Sequence, residues 1–334
     1  MRLRLLLLNS VGLVVVIVIV LSGLHRSLAA DYWSDIPRWL RPHVGTNDGQ
    51  IAPVVLQRAR ALYLRKAARK AIRNPCYFAM DATRPAAFGR RFYVICEGNR
   101  SFQAISSAHG KGRNLARIPD FSNGMRCARN FSNARDSWLT TGGPYVTAEI
   151  RTSFKGYYRG STGTLEPLVR SFVQFEGEGE AANARLRAIG GHAAVIVRPV
   201  CRMKAPGNPY ADNAGYVRFG KLFDYSTGRS NGCTSWFPAD SEWIMGLVEN
   251  RPTTLYIYPE SKDIVAVARA VKAGWSPASM GLYWNASCLK EIGFPNFWPR
   301  ETLEPALMQY RKAHPRRAAQ PLPFCKGQYA RLGD

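Results

Sequence analysis

Apolar positions in this chain fall into short runs rather than long helical stripes. Tyr77 to Met80, Arg91 to Cys96 and Phe102 to Ser106 are rich in aromatic and β-branched residues, with turn formers at Thr83-Arg84-Pro85 and Glu97-Gly98-Asn99 between them. Runs of this kind predict strands. Further strands are expected over Tyr145 to Phe154, Val169 to Phe175, residues 193–198 and Thr253 to Tyr258. One longer helix is expected from Val54 to Arg73. Its Leu56, Tyr63, Leu64, Ala67 and Ala71 share one face and Arg58, Arg65, Arg69 and Arg73 the other, and Asn74-Pro75 ends it. Glu180 to Ala188, Asp240 to Glu249, Asp263 to Ala273 and Glu301 to His314 read as shorter helices. Residues 111–135 and 202–226 are polar and Gly-rich and read as loops, the second of a kind that caps a substrate site. Strands of about six residues with frequent turns predict a mainly β fold, a sandwich with peripheral α-helices.

The same pattern divides the chain. Residues 1–30 open with Arg2 and Arg4, run apolar from Leu5 to Leu24, and carry small residues at Ser27-Leu28-Ala29-Ala30. This predicts an export signal, cleaved or retained as an anchor of roughly 20 apolar residues. A linker and the basic helix occupy 31–76, the main domain 77–264, and an aromatic-rich, then basic and Pro-rich, extension 265–334. The helix either packs on the main domain or docks on an anionic membrane surface.

Charge changes the picture further. Over 334 residues, 46 Lys and Arg against 23 Asp and Glu give a net +23, which points to an anionic partner. An exported chain does not meet nucleic acid, so none is expected. Anionic cell-wall polymer or a membrane surface takes its place, and the expected location is the periplasm.

Seven cysteines stand at 76, 96, 127, 201, 233, 288 and 325, with no C-x-x-C pair to suggest a zinc ribbon or a thioredoxin-type site. Setting Cys233 aside leaves an even number for up to three disulfides, in a pairing that the sequence leaves open. Cys233 follows Gly232, where the backbone can turn sharply and aim successive N–H groups at one point. His192 follows Gly190-Gly191 and opens an apolar strand. A thiol is only a few per cent ionised at neutral pH, and a neighbouring imidazole can take its proton. If the two meet, they make an acyl-transfer site.

Gly228-Arg229-Ser230-x-Gly232-Cys233 resembles the nucleophile motif of the murein L,D-transpeptidases, the YkuD-like catalytic domain. Ala108-His109-Gly110, Phe131-Ser132-Asn133, Ala184 to Ala193 and Leu255 to Pro259 resemble further elements of one branch, in the same order, so the likeness spans about Tyr77 to Ile264. The resemblance implies the L,D-transpeptidase-type β-sandwich, Cys233 as nucleophile and His192 as its base. It also implies an oxyanion hole from the backbone N–H groups of Asn231, Gly232 and Cys233, and a carbonyl, that of Ala193, orienting His192. Arg229, Ser230, His109 and Trp236 are the substrate-side candidates. Arg229 would hold a carboxylate or a structural ion pair, and His109 would line the site or satisfy a buried carbonyl. Neither a cofactor nor a metal is implied. The implied activity is transfer of a tetrapeptide stem acyl group to an amine with loss of D-Ala, forming a 3→3 cross-link or attaching another amine. The alternatives are an L,D-carboxypeptidase and a non-catalytic wall-binding protein with Cys233 in a disulfide. Asn231 stands where that branch has Trp.

Overall fold

A computed structural model describes residues 35–86, 89–226, 228–315, 318 and 320–326. The expected export segment lies outside the described residues. Among the described residues no helix is long and apolar enough to cross a membrane. Contacts divide the chain after Val44. In the first unit a 3₁₀ turn spans Arg38–His43.

The second unit, from Gly45 onward, carries everything that follows. Helix α1 (Pro53–Ala68) precedes β1 (Cys76–Asp81), β2 (Arg90–Cys96) and β3 (Ser101–Ser106), a meander of antiparallel strands. Two short strands, β4 (His109–Gly110) and β5 (Asn130–Ser132), lead to a long hairpin of β6 (Gly143–Arg159) and β7 (Leu165–Gly177). Then come β8 (Gly190–Ala193), β9 (Val195–Lys204), β10 (Tyr216–Asp224), β11 (Arg229–Ser230) and β12 (Thr234–Trp236). Helix α2 (Pro238–Val248), β13 (Thr254–Tyr258), α3 (Ser261–Lys272), α4 (Ala286–Ile292), β14 (Asn296–Trp298) and α5 (Arg300–Ala313) complete the chain.

Strand outweighs helix, 33% against 26%, so the protein is mainly β. Ten strands form one mixed sheet whose main path runs β12-β8-β7-β6-β13-β1-β2-β3. Strand β1 is buried at every position, as a central strand covered on both faces must be. Phe78, Phe92, Val94, Leu255 and Ile257 build its core with Trp236 from β12 and Ile244 from α2.

Three local expectations are corrected. Leu64 is exposed, because the buried stripe of α1 is Val55, Leu56, Ala59 and Leu62, and two further residues turn a helix by about 200°. The basic residues of α1 are engaged with acids of the same unit. Arg58 forks onto Asp263, Arg60 meets Glu97, and Lys66 meets Glu178. Residues 180–188 do not form an α-helix but a 3₁₀ turn, Gly179–Ala181, followed by further turns. Asn183 there donates to the carbonyl of Asn133 at 2.7 Å and Ala188 takes a positive φ, both of which break helical continuity. Residues 202–226 are no loose loop, since β9 and β10 pair from Val195–Asp224 to Lys204–Tyr216. The Gly and Pro content that suggested a loop is concentrated at the hairpin tip.

The C-terminal extension belongs to the same compact unit. Strand β14 pairs with β5, and disulfides join Cys127 to Cys288 and Cys201 to Cys325, while a third, Cys76–Cys96, crosses β1 and β2. The Tyr283 hydroxyl donates to the fully buried Asp81 at 2.6 Å, and Arg84 pairs with the same carboxylate. Residues beyond 264 thereby complete the polar core beside β1.

Candidate active site

Parallel pairing of β12 with β8 sets Ser235 opposite His192 and Thr234 opposite Gly191. Side chains alternate across a strand, so Cys233, one step before Thr234, shares the His192 face and sits level with Gly190. Cys233 and His192 are therefore diagonal neighbours on one face of the sheet. Next to them β7 places Phe172 opposite His192, with the two rings stacked at 6.1 Å.

This face is the floor of a cleft of about 670 Å³. Cys233, His192, Phe172, Asn231, Ser230 and Arg229 line it, and Ile196, Arg198, Phe223 and Tyr225 of the β9–β10 hairpin form one wall. Of residues 202–226 only Phe223 and Tyr225 line the cleft, so the hairpin supplies a side wall and its tip does not cap the site. Six cations, Lys111, Arg135, Arg170, Arg187, Arg198 and Arg229, face a single acid, Asp136, and Arg311 already pairs with that acid at 2.6 Å. The cleft is strongly electropositive.

His192 Nδ1 lies 2.8 Å from the carbonyl oxygen of Ala193. A carbonyl only accepts, so Nδ1 carries hydrogen and Nε2 of the neutral ring is left as the base. Burial, then the charges of Arg170 and Lys155, bring this imidazole down to about 4, against the pull of the Ala193 carbonyl. It is neutral at physiological pH. Crowding by protein atoms pushes the Cys233 thiol up, although the residue is only half-buried. The Gly190 N–H and the charges of Arg170 and Arg187 pull it back. The thiol itself donates to the carbonyl of Ala188 at 3.5 Å. The resting pair is thiol and neutral imidazole, not thiolate and imidazolium. Cys233 is the free cysteine, and the other six are paired.

The turn before Cys233 is held by Ser230. Its hydroxyl donates to the Cys233 carbonyl at 2.6 Å and accepts the Gly232 N–H at 3.1 Å. Gly232 has φ +105° and a Cβ there would lie 2.9 Å from the Leu139 carbonyl oxygen, so glycine is required. Because the Gly232 N–H is committed to Ser230, the expected hole of three donors is reduced to Asn231 and Cys233.

One substrate-side candidate, Trp236, is corrected, and for His109 the structure takes the buried-carbonyl reading. Trp236 is an odd number of residues from Cys233, so strand alternation sends it to the opposite face of the sheet. It is 1% exposed and packs edge-on against Phe92 at 5.1 Å. His109 is fully buried, with Arg91 donating to Nδ1 at 3.1 Å and Nε2 bonded to the Gly124 carbonyl at 3.1 Å. It is a strut behind the site. Arg229 does reach the cleft, anchored by the Asn123 carbonyl rather than by an acid.

Four contributors went unrecognised in the sequence: Arg170, Phe172, Arg187 and Tyr225. Arg187 is held by Thr141 and by the Leu139 carbonyl, so its hydrogen-bond acceptors beside Cys233 are neutral. The period-two placement of Arg170 and Phe172 on a strand was the one available signal.

No family model, curated protein or solved structure matches the chain.

Proposed function

We propose that this protein is a cysteine acyltransferase of the L,D-transpeptidase type, acting on the stem peptides of peptidoglycan. The observation that carries the proposal is the joint placement of Cys233 and His192 on one sheet face at the floor of a cationic cleft, with the His192 tautomer set by the Ala193 carbonyl. The motif resemblance through Gly232-Cys233 and the Ala184 to Ala193 segment adds the substrate class. With it goes the finer fold reading of an L,D-transpeptidase-type β-sandwich, in which the mixed sheet would form one layer.

His192 Nε2 takes the thiol proton as Sγ attacks the carbonyl of the third stem residue. Negative charge develops on the carbonyl oxygen, and the N–H groups of Asn231 and Cys233 receive it. The C–N bond then breaks, the imidazolium returns its proton to the departing D-Ala amine, and a thioester remains on Cys233. An amine completes the transfer and regenerates the thiol. A neutral thiol beside a neutral imidazole suits proton transfer concerted with attack. Stem peptides carry several carboxylates, which the cations of the cleft complement. The same proposal places the protein in the periplasm.

Incubation with a disaccharide-tetrapeptide, with products followed by mass spectrometry, tests the proposal. Cross-linked dimer together with free D-Ala supports it. Free D-Ala and tripeptide alone would make the protein a carboxypeptidase, and no turnover would refute the enzyme.

A further inference from the structure

Cys233, His192 and Arg170 follow one another along the cleft floor. Cys233 lies level with Gly190 at the start of β8, and His192 is two residues on. The Arg170 guanidinium lies past the end of that strand, donating to the carbonyl of Val195 at 3.1 Å and, more distantly, to that of Ala193 at 3.5 Å. Arg170 reaches there from β7, two residues before Phe172, which pairs with His192. Its third bond, at 3.0 Å, goes to the hydroxyl of Tyr225 on the cleft wall.

All three bonds use the same terminal nitrogen, Nη1, and all end on neutral oxygens. Nε is buried and without a partner among the described residues. Lys155 on β6 brings a second positive charge, and burial together with Arg170 holds it below the ordinary lysine range. Arg170, bonded only to neutral acceptors with a second cation nearby, leaves a site that an anion completes.

We propose that Arg170 and Tyr225 form the subsite for a carboxylate on the leaving residue, and so select donors that end one residue beyond the attacked carbonyl. The proposal rests on the acyl-transfer function proposed above. In that reaction the S–C bond forms at Cys233, the C–N bond breaks, and the thiol proton passes through His192 to the departing amine. The leaving amine therefore lies on the His192 side of Cys233, and its α-carboxylate, one carbon further, lies toward Arg170. Arg187, next to Ala188 whose carbonyl accepts from the Cys233 thiol, lies before the start of β8 rather than past its end and serves the retained part of the stem. A donor extended by one residue, or amidated at its end, would present a neutral amide to Arg170.

The test compares two disaccharide-tetrapeptide donors that differ only at the terminus, one a free carboxylate and one a primary amide. The readout is kcat/KM for Cys233 acylation by quenched intact-mass analysis, in wild type, Arg170→Gln, Arg170→Lys and Tyr225→Phe. Wild type is expected to favour the acid by about 100-fold, the scale of a lost hydrogen bond to a charged group. Arg170→Gln should collapse that ratio to within a few-fold of one, with Arg170→Lys retaining part of it. Tyr225→Phe should reduce the ratio by roughly 10-fold, as loss of one hydrogen bond to a charged group does. Tyr225→Phe stands alone if Arg170→Gln does not fold. A wild-type ratio near one, or variants that slow both donors equally, would overturn the subsite while leaving the acyltransferase intact. Failure of both donors to acylate wild-type Cys233 would overturn the acyltransferase and the subsite together.

Discussion

The Ser230 hydroxyl spans the turn that presents Cys233, donating to the Cys233 carbonyl at 2.6 Å while it accepts the Gly232 N–H at 3.1 Å. One small side chain therefore sets the direction in which the adjacent N–H groups point. Removing it frees two buried backbone groups and loosens the expected oxyanion donors together.

Ser230→Ala is expected to lower stability by about 1–2 kcal/mol, the cost of leaving buried partners unmet. The acylation rate should fall by at least roughly 10-fold, because donors must be in place before charge develops. Denaturant titration and single-turnover acylation separate the two effects.

The pH profile follows from the resting protonation states. His192 is held down to about 4 by burial and by Arg170, so it remains a competent base until the pH falls to that region. Cys233 is held up, so no thiolate accumulates near neutrality. The predicted kcat/KM is level from mildly acidic to neutral pH and falls only as His192 protonates at about 4. An acid limb near pH 6.5, the ordinary imidazole range, would contradict the neutral pair.

Acid stability has a separate source in His109. Burial first, then the charge of Arg91, holds its pKa well below the ordinary histidine value. The unfolded chain binds a proton there below about pH 6.5 while the native state does not, so acidification favours unfolding. This contribution is complete above about pH 6.5 and is lost below it at up to about 1.4 kcal/mol per pH unit. His109→Gln should flatten that part of the stability–pH curve, as read by urea titration between pH 5 and pH 8.

Trp236 and Gly191 provide a packing test. A Cβ on Gly191 would lie 2.1 Å from the Trp236 ring, so Gly191→Ala forces the sheet behind the dyad apart. Trp236→Ala is expected to cost about 3–5 kcal/mol. Neither residue touches the cleft, so a Trp236→Ala protein that folds at low temperature should keep Cys233 reactive toward a small thiol reagent. Thermal unfolding and thiol titration on the same sample give both readouts.

The Cys201–Cys325 disulfide ties residues 323–325 alongside β9, where Arg202 exchanges two backbone bonds with Pro323 and Cys325. A Cys201→Ala/Cys325→Ala double variant should lose roughly 2–5 kcal/mol, since the closed loop is long. Hydrogen exchange should rise in β9 before it rises in β1, because β9 and its partner β10 form one cleft wall at the edge of the fold.

The strands of the candidate site were legible because their signals are local. Gly232-Cys233 marks its own turn, and the run after His192 marks its own strand. Even the carbonyl that orients His192 is one residue away. Trp236 was misread because motif proximity says nothing of strand parity, which puts residues 233 and 236 on opposite faces. Arg170 and Tyr225 were missed for a different reason. Their meaning depends on the pairing of β7 with β8 and on the return of β10, and a single sequence does not announce which strands pair. The 202–226 hairpin was hidden by its own tip, whose Gly and Pro residues mask the β-forming positions on either side.

Intact-mass analysis of the protein mixed with disaccharide-tetrapeptide and quenched within one turnover tests the acyl-transfer mechanism most directly. The predicted result is a covalent adduct of the stem minus D-Ala, mapped to Cys233 and absent from Cys233→Ala, with slow formation in His192→Gln. An unmodified wild-type protein alongside unchanged tetrapeptide would contradict it.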